Sequence, residues 1–405
     1  MANAAGPTPA EQAAIDRIDA DAMRAQVEGW AAINSGTGNP AGLAVMAAVL
    51  ADAFAVLPGD IRLVDPAPVH RMDSDGRIAP VAHGRHLTLS VRPAAADRFL
   101  FFGHMDTVYP VDHPFQSSVW RDERTLVGPG VTDMKGGLSV MLAALTALEA
   151  DGAIDGLGYD VLINADEETG SLSSAALIAD LAKGKRAAFG YEPALPDGTL
   201  AGARGGTGNF SIAVHGRSAH AGRNPGEGRN ALVAAADLAV GLAAIAVPGL
   251  TVNPARIDGG APNNVVPDLA ILRVNFRPRD TTAITAASEA VDRIAARIAA
   301  QHDVKIVQHG SFNRPPKPID PGAARLFDLV GRAGADLGLT IAWRDTGGVC
   351  DGNNVAAAGV PVVDTMGVRG GAIHSPDEFL LVDSLIERAA LSAVTVGRLA
   401  NGGWR

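Results

Sequence analysis

Hydrophobic and polar positions fall into two regimes along the chain. In the first sixty residues, Ala14 to Ala32 and Leu43 to Leu57 carry alanines and larger apolar residues at helical spacing, predicting two helices. From Pro66 to Gly84 the chain is rich in Pro, Asp, Gly and His, and no long regular pattern is visible. Two strand patterns follow, His86 to Val91 and Arg98 to Gly103. The second, RFLFFG, is apolar on both faces, as a strand in a covered parallel sheet should be. A helix after Lys135 (GGLSVMLAALTALEA), a buried-strand pattern at Tyr159 to Ala165 and a helix near Ser173 to Lys183 continue the alternation. Strands separated by helices of this length predict an α/β sheet.

The second regime is different. Asn209 to His215 reads as a strand, Gly228 to Ile245 as a helix, and Thr251 to Ile257 and Leu269 to Phe276 as two strands. Thr281 to Ala300 then reads as a helix and Val304 to Gly310 as a strand. The order β-α-β-β-α-β is that of a ferredoxin-like α+β unit. After Pro315, Pro316 and Pro318 the α/β character returns: a helix at Ala323 to Leu337, a short strand at Gly359 to Val363, and a helix at Val382 to Val396. The expectation is a discontinuous catalytic domain of residues 1–203 and 314–405, with a second domain of residues 204–313 inserted into it.

Composition narrows the function classes. With 47% apolar and 19% charged residues in a 405-residue chain, disorder and coiled coil are excluded. A net charge of −10 and only 4% aromatic residues argue against a nucleic-acid partner. The start of the chain has no basic segment followed by an apolar run, so no secretory signal is expected. Leu232 to Leu250 is the longest apolar stretch. Asp237, two glycines and Pro248 interrupt it, so it reads as a buried helix and no membrane partner is expected. The single Cys350 makes no internal disulfide, which fits a soluble cytoplasmic protein.

The candidate chemistry lies at strand ends and turns: His104, Asp133, Glu168, Glu192 and His374. His104 and Asp106 follow RFLFFG two residues apart, so both can face one site. A carboxylate on one ring nitrogen holds an imidazole whose other nitrogen binds metal. Taken alone, the pair fits equally a hydrogen-bonded histidine beside a loop. Asp133 stands in GPGVTDMKGG just before a helix, as a ligand or as an N-cap. Glu167-Glu168 ends another strand, either as a solvated acidic pair or as a proton carrier beside a ligand. Together the segments offer two imidazoles and three carboxylates, a set that two divalent metals sharing one aspartate would explain.

These motifs carry a resemblance. GHMDTVYP (103–110), GPGVTDMKGG (128–137), NADEETGS (164–171), YEP (191–193), HGRSAHAG (215–222), NNVVPD (263–268), TGGVCDGN (346–353) and GGAIHS (370–375) occur in order. The chain resembles the M20 zinc-peptidase and amidohydrolase family, and is similar to its glutamate carboxypeptidase branch. The resemblance implies a metal-dependent exopeptidase-like catalytic domain with an inserted dimerisation domain. It implies two divalent ions, Zn2+ with Co2+ as an alternative, bridged by Asp133 and followed by a cis peptide at Met134. Glu168 and His374 would complete one ion's ligands, and His104 and Glu192 the other's. Glu167 would be the general base and Asp106 the support of His104.

His220 would reach the active site of the other subunit of a homodimer and stabilise the oxyanion. Asn264, Arg277, Gly370 and Gly371 would hold a small peptide or N-acyl amino acid. The expected reaction is release of a C-terminal amino acid, glutamate in the branch resembled. An N-acyl or N-carbamoyl amino acid amidohydrolase is the alternative. One departure touches the substrate: TGGVCDGN stands where the branch commonly has Gly-Gly-Gly-Thr/Ser-Asp, changing the bulk and hydrogen bonding of that loop.

Overall fold

A computed structural model describes residues 6–403 of the chain; residues 1–5 and 404–405, at the outer limits of the expected catalytic domain, lie outside the described residues. The sheet predicted from RFLFFG is six-stranded, in the order Asp60–Val64, His86–Val91, Gly158–Asn164, Arg98–His104, Ala187–Gly190, Val362–Val363. Arg98–His104 lies at its centre, parallel to both neighbours. Alternation along this strand explains why it is apolar throughout. Phe99 and Phe101 enter the larger core with Met141, Leu145, Val330 and Leu391, while Leu100 and Phe102 enter a second core with Ile178 and Val355. Helices therefore cover both faces of this strand, and its polar residues, Arg98 and His104, stand at its two ends.

The segment Val131–Ala150 is apolar over a membrane-spanning length, yet 89% of an 18-residue stretch of it is buried inside the protein, and its helix Gly136–Ala150 is the central helix of the larger core. The helix predicted over 14–32 is instead two, Pro9–Ile15 and Ala20–Ala31. Asp19 breaks the run by accepting hydrogen bonds from the main-chain N–H groups of Asp21 and Ala22, which caps the second helix. Segments without a visible pattern form short pairs, among them Val69–Met72 with Ile78–Val81. A four-stranded sheet, Gly370–Gly371, Phe379–Leu381, Thr125–Val127 and Val119–Asp122, supports the glycine-rich turn before Asp133. Its strands are two to four residues long, too short for a period to register.

The second regime folds as an α+β unit inserted into this domain. Its antiparallel sheet has the order Leu250–Gly259, Leu269–Pro278, Thr207–His215, Lys305–Arg314. Helices Ala231–Ala243 and Thr281–His302 cover one face and share a separate core with Ile212, Leu272, Val274 and Phe276. Phe210, Phe276 and Phe312 close it with ring centroids 5.4–5.6 Å apart, two of the three contacts edge-on. The other face meets the hairpin at 69–81, where Arg273 donates to the main-chain oxygens of Met72 and Asp73.

The chain crosses between the units twice, side by side. Arg204 and Lys317 exchange two main-chain hydrogen bonds of 2.9 Å. The Asn353 side chain donates to the oxygens of Gly205 and Pro315, tying both crossings to the catalytic unit.

Candidate active site

The carboxyl ends of the parallel strands and two glycine-rich turns converge on one pocket. His104 ends the central strand, Glu167 and Glu168 follow Gly158–Asn164, and Glu192 follows Ala187–Gly190. Asp133 lies in a distorted turn with φ −115° and ψ 91°, and the helix proper begins at Gly136. It is therefore no N-cap. The Asp133–Met134 peptide is cis. His374 arrives from the other side on a strained turn, with φ of +52° at Ala372 and +62° at His374.

All five candidate ligands meet here. His104 Nε2 lies 3.1 Å from Asp133 Oδ1 and 3.8 Å from Glu192 Oε1. His374 Nε2 lies 3.4 Å from Asp133 Oδ2 and 3.2 Å from Glu168 Oε2. The two oxygens of Asp133 thus face different imidazoles. His104 Nδ1 lies 3.0 Å from the main-chain oxygen of Asp106, which can only accept, so Nδ1 carries the proton. Nε2 then faces the Asp133 and Glu192 carboxylates, an arrangement favourable either for an imidazolium that donates to them or with a cation between nitrogen and oxygens. His104, Asp133 and Glu168, and His104, Glu167 and Glu192, each bring ligand atoms within 4.8 Å of one another. Imidazole nitrogen with carboxylate oxygen is a donor set suited to zinc and its neighbours, so the residues fit the implied metals.

The electrostatics agree. Burial, with Asp133 adding to it, pushes the Glu168 carboxyl up to about 8. Burial pushes Glu167 up to about 7, against the opposing pull of Arg314. Hydrogen bonds to Asp133 and Glu168 push His374 up to about 10. Burial opposes charge on Asp133 and His104 as well. Hydrogen bonds between them and to their partners prevail, holding Asp133 low and His104 well above the usual imidazole range. Four crowded acids that take up protons or pair with imidazolium are a site that divalent cations would neutralise.

The Asp106 carboxylate lies 3.4 Å from His104 Nδ1 and has closer partners. It accepts from the N–H groups of Glu167 (3.1 Å) and Glu168 (3.2 Å) and from Thr37 Oγ1 (2.7 Å), so one fully buried group aligns both glutamates. Glu378, which the motifs did not single out, has a comparable place. It accepts from the N–H groups of Gly130, Thr132 and Asp133 at 2.9–3.1 Å and from the Tyr109 hydroxyl at 2.8 Å. It thereby binds the turn of Asp133 to the segment of His374. Its only sequence signal is an acid four residues after a candidate ligand.

The cavity beside the cluster measures about 670 Å³, and its wall includes Leu200, Arg204, Arg344, Thr346 and Val349. Arg204 was not anticipated. It is buried, and Asp364 holds it through hydrogen bonds of 2.8 and 3.1 Å. Cys350 also lines the cavity; its thiol donates to Asp364 and is pushed up by burial, as suits a structural cysteine. Arg277 lines an adjoining cavity that shares Arg204, Thr346 and Gly347 with the first. Gly370 and Gly371 pair with Leu380 and Phe379 and line neither cavity. A Cβ on Gly370 would meet the Phe379 oxygen at 2.2 Å, which explains the glycine by packing.

His220 and Asn264 lie together on the exposed surface of the inserted unit and line neither cavity of their own chain. His220 Nδ1 accepts from the N–H groups of Gly222 and Arg223, so a neutral ring carries its proton on Nε2.

The chain matches the model of peptidase family M20/M25/M40 over residues 100–397. Carboxypeptidase G2 of Pseudomonas sp. (strain RS-16) is 28% identical over 325 residues, which cover 79% of this chain and 78% of that protein. Succinyl-diaminopimelate desuccinylase of Methylorubrum populi is 31% identical over 317 residues, covering 72% and 80%. Among solved structures, a tripeptidase from Staphylococcus aureus is similar in fold, with a TM-score of 0.75 at 21% identity over 95% of this chain and 100% of that one. The family match spans both parts of the catalytic unit and the insertion between them, so the chain belongs to peptidase family M20/M25/M40 and is a metal-dependent hydrolase of carbon–nitrogen bonds.

Proposed function

We propose that the protein uses two zinc ions, with cobalt as a functional substitute, to hydrolyse the amide or peptide bond before a C-terminal amino acid, glutamate being the preferred one. The observation that carries the reading is Asp133, whose two oxygens face His104 and His374 separately. His104 and Glu192 would hold one ion, Glu168 and His374 the other, with Asp133 shared. Bound ions would lower the pKa of a water and polarise the scissile carbonyl.

The protein's own groups would do the rest. Glu167 accepts the water proton and returns it to the departing nitrogen, a role its raised proton affinity suits. Arg277 anchors the substrate carboxylate, and partial desolvation with the like charge of Arg314 leaves its guanidinium short of an anion. Asn264 and the backbone N–H groups of Gly370 and Gly371 would complete the expected substrate-binding set. His220 offers an Nε2–H to the developing oxyanion of the other subunit's site, so the active form is a homodimer. The catalytic domain would comprise residues 1–203 and 314–405, and the dimerisation domain residues 204–313. A cytoplasmic location fits the single buried cysteine.

A second reading, an N-acyl or N-carbamoyl amino acid amidohydrolase, is favoured by the desuccinylase relative. A substrate panel on the metal-reconstituted enzyme separates them. The highest kcat/KM is expected for C-terminal glutamyl peptides. Higher values for N-acyl or N-carbamoyl amino acids would select the second reading, and no turnover of any class with two ions bound would sink both.

Glu378 supplies an independent check on the metal centre. Glu378→Gln places an amide donor against main-chain N–H groups or the Tyr109 hydroxyl, and metal affinity should fall about 10–100-fold. Chelator competition measures it. Unchanged affinity would mean that the turn holds Asp133 without help.

A further inference from the structure

The chain returns from the inserted unit through Arg314, the last residue of Lys305–Arg314 and the partner of Thr207 across the crossing. Its side chain is only 5% exposed. A buried guanidinium is costly unless its surroundings supply matching charge and acceptors. Arg314 Nη2 lies 2.8 Å from Glu167 Oε1 and 3.0 Å from the Glu167 main-chain oxygen. It also donates to Ser171 Oγ at 2.6 Å and lies 3.3 Å from Asp351 Oδ1.

The guanidinium is held independently of Glu167. Asp351 is itself fixed, accepting from Ser171 Oγ at 2.5 Å and from Asn164 Nδ2 at 2.6 Å. Asn164 ends the interior strand that leads into Glu167, so Asp351 is tied to the same strand end as its target. Lys317, three residues later, pairs with Asp364 at 2.9 Å and secures the same crossing. The main chain of Glu167 is aligned by Asp106, but the ion pair with Arg314 is what reaches its carboxylate.

We infer that Arg314 is a positioning residue for the Glu167 carboxylate, holding the proton acceptor to the segment by which the chain leaves the inserted domain. The inference rests on Glu167 being the general base. A base displaced by about 1 Å costs on the order of 100-fold in rate, because attack and proton transfer need near-contact geometry. Substrate binding, which uses other side chains, changes little. The reaction therefore depends on the crossing strands as well as on the metal ligands.

The test is a double-mutant cycle on the metal-reconstituted enzyme, with metal content and melting temperature measured for every variant. Arg314→Met is expected to lower kcat roughly 10–100-fold with KM changed less than about threefold and both ions retained. Arg314→Lys, which keeps one charged nitrogen on a more flexible stem, should recover about tenfold of a full loss. In a Glu167→Gln background, Arg314→Met should cost nothing further, since its target is already disabled. If Arg314→Met does not fold, Arg314→Gln takes its place under the same criteria, keeping amide donors without the charge. A kcat within twofold of the parent, or an equal further loss in the Glu167→Gln background, overturns the inference. Near-normal turnover by Glu167→Gln alone would instead remove the base assignment beneath it.

Discussion

Glu167→Gln is expected to lower kcat by about 10²–10⁴-fold while leaving fold and metal content close to the parent. The amide nitrogen cannot accept the water proton, yet the side chain keeps its volume in a site where Glu167 is 7% exposed. The neighbouring substitution should behave differently. Glu168 Oε2 faces His374 Nε2 at 3.2 Å, so Glu168→Gln removes a charge from the expected ligand set and should lose metal first, with rate falling as a consequence. Steady-state kinetics with metal analysis on both variants distinguishes proton transfer from ligation. Near-normal turnover by Glu167→Gln with both ions bound would eliminate it as the base.

The second large effect concerns His220. Truncation to alanine should cost about 10²–10³-fold in kcat, the usual consequence of losing one oxyanion donor. Within one chain His220 lines neither cavity near the metal cluster, so that loss would be hard to explain without a second subunit. Subunit mixing gives a sharper outcome. Glu167→Gln and His220→Ala homodimers are each nearly inactive. In a mixed dimer, the chain that keeps Glu167 receives His220 from its partner, restoring one of two sites. Random exchange at equal concentrations should therefore recover about a quarter of parental activity, since half the dimers are mixed. Mixed dimers confirmed by mass spectrometry, fully metallated and still inactive, would rule out the cross-subunit role and leave His220 as the turn-stabilising residue that its Nδ1 bonds describe.

Much of this architecture is written in local pattern. RFLFFG predicts a doubly covered strand because alternate residues meet different cores, and the two regimes of periodicity separate the inserted unit from the sheet around it. The five candidate ligands are legible because metal chemistry restricts residue types and the strand ends of a covered sheet are where polar groups can gather. Patterns of two to four residues were not legible, so the small sheet that carries the turn before Asp133 came only with the structure. The same holds for the split of the first helix at Asp19, where a side-chain cap outweighs an apolar period that runs through it.

What the chain alone determined is the inventory: which side chains can ligate, which can carry a proton, and which segments form strands and helices around them. Tertiary structure alone decided which long-range partners set their geometry. Glu378 is 245 residues from the Asp133 N–H it accepts, Arg314 is 147 residues from Glu167, and Arg204 is 160 residues from the Asp364 that holds it. No periodicity records such pairings. A buried charge is stable only where a distant segment delivers its counter-charge, and that meeting is a property of the packed molecule.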